Sequence, residues 1–137
     1  MLADAPGGNP EVIIIASGSE VSLAVEAHEK LLSEGIRSRV VSMPSWEIFE
    51  HQPQAYRDSV LPPNVKARVA VEQASILGWE RYVGDSGGVI GMNTFGASAP
   101  LNGRDVGLRH DGNRIFRHFS GEPIRFRLPI VEPIFWT

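Results

Sequence analysis

Five residues near the start of the chain, Val12-Ile13-Ile14-Ile15-Ala16, most constrain what it can fold into. The run carries four β-branched side chains and no polar alternation, as suits a strand covered on both faces. Strands of that kind belong to parallel sheets with helices packed above and below. Burying each of the large side chains is worth about 1.5–3 kcal/mol. The run is also far shorter than the roughly 20 residues of a membrane-spanning helix.

The residues after it keep that pattern. Ser17-Gly18-Ser19-Glu20 reads as an S-x-x-E capping box that starts a helix at Gly18 or Ser19. Val21, Ala24, Val25, His28, Leu31 and Leu32 then recur at helical spacing, and Gly35 supplies the stop. Residues 39–43 form a second apolar strand halted by Pro44. Two short helices are expected over 46–51 and 54–60, on either side of Pro53, and Leu61-Pro62-Pro63 ends them. Residues 67–72 read as a third strand, 76–83 as a short helix and 89–92 as a fourth strand. Strand and helix alternate at the spacing of βαβ units. The fold class expected is therefore α/β, a three-layer α/β/α domain with a mostly parallel sheet.

A chain of 137 residues is long enough for one such domain with a real core. Residues 1–10 contain neither a basic segment nor an apolar run of signal-peptide type, and read as a leader or linker. The domain occupies 11–100. After 101 the periodicity is lost: prolines at 123, 129 and 133 interrupt the apolar stretches, and the basic residues are all arginine. Short strands at 114–119 and 124–128 are the weak expectation there. With no cysteine, disulfides, thiolate catalysis and cysteine zinc sites are excluded. A net charge of −3 gives no electrostatic case for nucleic acid or an anionic membrane as partner.

Few motifs suggest chemistry. Gly84-Asp85-Ser86-Gly87-Gly88 spells a serine-protease nucleophile and also fits G-x-S-x-G. A trypsin-like enzyme needs two β-barrels, and a hydrolase elbow turns from strand into helix. Here the expected order is helix, glycine turn, strand, although Ser86, Asp105 and His118 do run in hydrolase order. Ser86 is thus read as a turn residue. The strand-to-helix junction is instead at Ser17, Gly18 and Ser19, where free N–H groups at a helix start could hold a small anion. Glu20 in the first helical turn would oppose a phosphate, and no G-x-G-x-x-G or Walker lysine is present. His28 lies on the apolar face of its helix, as a core-edge histidine would. His110 and His118 with Asp111 match no recognised metal spacing. Trp46, Phe49, Tyr56, Trp79 and Tyr82 read as packing residues.

Taken in order, EVIIIASGSEVSLAVEAHEKLLSEGI, RVVSMPSWEIFEHQPQAYRDSVLP, ARVAVEQASILGWERYVG and GVIGMNTFGASAP resemble the C-terminal domain of transketolase over residues 11–100. The specific pieces are RVVSMPS, AYRDSVLP, ARVAVE and TFGASAP; the tail after 101 does not match. The resemblance implies a mainly parallel sheet flanked by helices. It also implies membership of a cytoplasmic, homodimeric enzyme of the pentose phosphate pathway, a transferase that moves a two-carbon ketol unit between sugar phosphates. In that family thiamine diphosphate and Mg2+ or Ca2+ are held between the N-terminal and middle domains, and the partners are those domains and a second subunit. No catalytic, cofactor-binding or metal-ligating residue therefore carries over onto this chain, and the domain would have a structural, dimer-supporting role. The alternative is a stand-alone module taking a small anion at Ser17, Gly18 and Ser19. A shifted reading frame or a rearranged gene end near codon 101 would account for the change of pattern in the tail.

Overall fold

The computed structural model describes residues 1–72 and 75–91. Its strands and α-helices are β1 (Val12–Ala16), α1 (Glu20–Ser33), β2 (Ser38–Ser42), α2 (Trp46–Glu50), α3 (Gln54–Val60), β3 (Arg68–Glu72), α4 (Glu80–Val83) and β4 (Gly88–Gly91). The four strands make a parallel sheet in the order β2-β1-β3-β4, with Ile14 opposite Val40 on one side and Val69 on the other.

All five residues of β1 are buried, as the unbroken apolar run predicts. Alternation along the strand then divides them between two cores. Val12, Ile14 and Ala16 pack with Ala24, Ala27 and Leu31 of α1 and with Val40, Val69 and Val71. Ile13 and Ile15 face the other way, onto Val60, Leu61, Trp79, Tyr82 and Val83, with Trp46 and Phe49 at the edge. One core lies on each face of the sheet, and the three-layer α/β/α expectation holds.

Helix ends follow local chemistry. At the C-terminus of α1, Gly35 N–H bonds the Leu32 carbonyl (3.0 Å) and Ile36 N–H bonds that of Leu31 (2.9 Å), a Schellman pair. Ser45 caps α2 by accepting the Ile48 N–H at 3.3 Å. The helix expected over 76–83 is shorter than its pattern, because Gly78 (φ 91°) turns the chain ahead of it. A Cβ on Gly78 would sit 2.7 Å from Cζ3 of Trp46, so the indole takes the space a side chain would fill.

The first ten residues, expected as a leader or linker, lie against the domain. Leu2 N–H donates to the Val40 carbonyl (2.9 Å), and Val40 N–H donates to the Ala3 carbonyl (2.9 Å). Ala3 and Val40 thus form an antiparallel bridge on the outer edge of β2, and Ala5 is buried. The glycines and prolines at 6–10 make the turn that leads from this strap into β1. The strands expected at 114–119 and 124–128 lie outside the described residues.

Candidate functional site at the carboxyl end of the sheet

In a parallel sheet the crevice that receives ligands opens where successive connections leave in opposite directions. Here β1 connects to β2 on one side, and the chain then crosses to β3 on the other. The switch point is therefore between the carboxyl ends of β1 and β3, and the residues at those ends are Ser17 and Glu72.

These two side chains meet: Ser17 Oγ donates to Glu72 Oε2 at 3.1 Å. The contact replaces the expected capping box. A box would need the Ser17 hydroxyl to accept from the first helical turn, but the neighbouring strand offers it a carboxylate instead. Helix α1 accordingly starts at Glu20, with Ser19 in the cap position and no side-chain cap bond. Ser19 Oγ donates to Glu20 Oε1 at 2.8 Å, and Glu20 is buried. Ser17, Gly18 and Ser19 are brought together at the turn, in the company of two carboxylates. The turn thus has the carboxylates of Glu72 and the buried Glu20 as neighbours, which does not favour an anion at the helix start. The donor set is equally ill-suited to a diphosphate, which is usually held by cations and free N–H groups.

Neither Ser86 nor His28 joins this site. Ser86 lies exposed in the turn between α4 and β4, where Gly87 N–H bonds the Gly84 carbonyl at 3.2 Å. The element order is helix to strand, the reverse of a nucleophile elbow. Gly87 is needed for closeness: a Cβ there would run into the Val83 carbonyl and come within 2.6 Å of that of Arg68. His28 is buried, its Nδ1 2.8 Å from Ser38 Oγ. Asp105, His110, Asp111 and His118 lie outside the described residues. Among the described residues no group of three or more His, Cys, Asp or Glu side chains is placed to hold a metal ion.

Trp79 and Tyr82 are buried, and the Trp46 and Trp79 rings meet edge-on at 5.0 Å. Trp46 and Phe49 flank this core, whereas Tyr56 is exposed on α3. Tyr82 donates its hydroxyl to Glu50 Oε1 (2.8 Å); burial first, then that carboxylate, pushes the phenol above its ordinary value.

Two arginines inside apolar strands organise more of the molecule than the sequence suggests. Arg39 is buried, and its guanidinium grips Asp4 through two bonds, Nε to Oδ1 (2.7 Å) and Nη2 to Oδ2 (2.9 Å). It also donates to the carbonyls of Ser59, Val60 and Gly8. Arg68 donates to four carbonyls, those of Val65, Tyr82, Leu61 and Pro62. Burial pulls its guanidinium below the ordinary value. The only trace of either role in the sequence is a lone arginine at the start of an apolar strand.

The chain matches the family model described as a transketolase-like C-terminal domain over residues 1–104. It is 54% identical over 100 residues to a transketolase of Geobacillus stearothermophilus, covering 73% of this chain and 15% of that protein. With transketolase 1 of Escherichia coli it shares 59% identity over 93 residues, 68% of this chain and 14% of that one. Among solved structures, a transketolase from Leishmania mexicana superposes with a TM-score of 0.73 at 41% identity, covering 91% of this chain and 18% of that chain. The chain thus spans about one-seventh of the length of the curated relatives it matches.

Proposed function

Because this chain belongs to the transketolase-like C-terminal domain family, we propose that it serves as the C-terminal domain of a transketolase. The whole enzyme would transfer a two-carbon ketol unit between sugar phosphates, in the cytoplasm and as part of the pentose phosphate pathway. The identity of 54% over 100 residues to a transketolase relative carries this reading. On it, this domain packs against the preceding domains and supports a homodimer.

Thiamine diphosphate would supply a carbanion centre to the whole enzyme, with Mg2+ or Ca2+ holding its diphosphate. The residues at the switch point here do not fit that group. Ser17, Glu20 and Glu72 present two carboxylates and hydroxyls already engaged with them, where a diphosphate needs cationic side chains or free N–H groups, and among the described residues no group of three or more His, Cys, Asp or Glu side chains is placed to hold its metal. The cofactor would therefore lie on other domains, and the 137 residues by themselves would not perform ketol transfer. The reading as a stand-alone anion-binding module gains nothing from the relatives and is opposed by the same carboxylates. An assay of the pure chain with xylulose 5-phosphate, ribose 5-phosphate, thiamine diphosphate and magnesium checks the point. No turnover is expected, and measurable sedoheptulose 7-phosphate would overturn the proposal.

A further inference from the structure

The outer edge of β2 has a property the fold does not require: it accepts an antiparallel partner. Residues 2 and 3 hold that place through three backbone bonds, all to Val40, and the segment 2–8 is fastened by the grip of Arg39 on Asp4. The Ala3 side chain packs on the same core as Val40. Strap and strand are thus joined at two points, a short ladder and an ion pair whose arginine is buried.

We propose that the strap is a guard over a self-complementary edge, and that the Asp4–Arg39 pair is its latch. The occupant it keeps out is a second copy of this chain. The sequence of β2, Ser38-Arg39-Val40-Val41-Ser42, supports that partner. Turned antiparallel on itself about Val40, it sets Ser38 opposite Ser42, Arg39 opposite Val41, and Val40 opposite Val40. No like charges face each other in that register. Val40 already exchanges both its N–H and its carbonyl with Ala3, as a residue on a two-fold axis would exchange them with its own copy. Unpaired edges of this kind template association, and proteins cover them for that reason.

The latch can be opened with Asp4→Ala and, keeping the side-chain shape, with Asp4→Asn. Two quantities are read on the full chain: exchange of the Val40 amide and the sedimentation mass across concentration. The proposal expects Val40 protection to fall at least tenfold while that of Ile14 in the central strand holds, and the mass to double relative to the parent. It further expects the doubling to vanish when the strap is closed covalently with Ala3→Cys and Val40→Cys. The chain has no cysteine of its own; because the proposed register also sets residue 40 opposite its own copy, the disulfide is formed at high dilution and the monomer carrying the internal 3–40 bond is isolated before its mass is read. The same variant under reductant should dimerise again. Unchanged Val40 exchange, or an exposed Val40 without a change of mass, would overturn the proposal. So would a doubling that persists with the strap locked. If both Asp4 variants lose their near-ultraviolet dichroism, the pair belongs to the core and the latch reading fails.

Discussion

Arg68 shows how one side chain can close a layer of the fold. Its guanidinium reaches the carbonyls of Leu61, Pro62 and Val65 before β3 and of Tyr82 in α4, all between 2.9 and 3.2 Å. No carboxylate is needed, because four carbonyl dipoles serve the charge. Arg68→Ala leaves those acceptors without their donor, and we expect a loss of about 1–3 kcal/mol in urea unfolding. Arg68→Lys should recover only part of it, since an ammonium cannot span four acceptors in a plane. Asp4 gives a second test. The hydrogen bonds from Arg39 hold its carboxyl below the ordinary value of 3.8, more strongly than burial raises it, with the Ala5 N–H and the charges of Arg39 and His28 adding to the depression. A carboxyl depressed in the folded state stabilises it above the unfolded pKa, and that stability is lost as pH falls through the lower, folded value. The stability gap between the parent and Asp4→Asn should therefore hold at neutral pH and close in acid below 3.8.

At the scale of elements, the strands are the most legible part of the sequence and the helix starts the least. The run at 12–16 needs no context, because four β-branched residues in a row ask for cover on both faces, and both ends of β1 fall where the apolar run does. Helix α3 is equally readable, being fenced by Pro53 and by Pro62-Pro63. Ser17 escapes local reading because its partner, Glu72, stands 55 residues away, and no local pattern reports a neighbour across the sheet. Residues 1–10 escape it for a similar reason: their glycines and prolines say turn, while the Asp4–Arg39 contact spans 35 positions. The pattern overextends helix α4 because the apolar spacing runs through Gly78, whose left-handed backbone and contact with Trp46 hold the helix off. Gly78→Ala should thus cost more than the ordinary glycine-to-alanine change, about 1–3 kcal/mol, and weaken the near-ultraviolet signal of the Trp46–Trp79 pair. At the other short helix, Ser45→Ala removes the cap on Ile48 N–H and should cost about 1 kcal/mol.

For the whole molecule, the described residues form a four-stranded parallel sheet with an apolar core on each face. At the carboxyl end of the sheet, where a free-standing α/β enzyme would place its ligand, Ser17 bonds Glu72 and Glu20 is buried beside them. What identifies the domain is its likeness over residues 1–104 and not any cluster of reactive groups, which is why the motif at Ser86 is the wrong place to look. The most direct test exchanges the domain itself. The 93-residue stretch of Escherichia coli transketolase 1 that aligns with this chain would be replaced by the matching residues of this one. The account predicts a folded chimera whose ketol transfer from xylulose 5-phosphate to ribose 5-phosphate stays within about tenfold of the parent enzyme, about 1.4 kcal/mol in the barrier. A chimera that folds and binds thiamine diphosphate yet transfers nothing would contradict it.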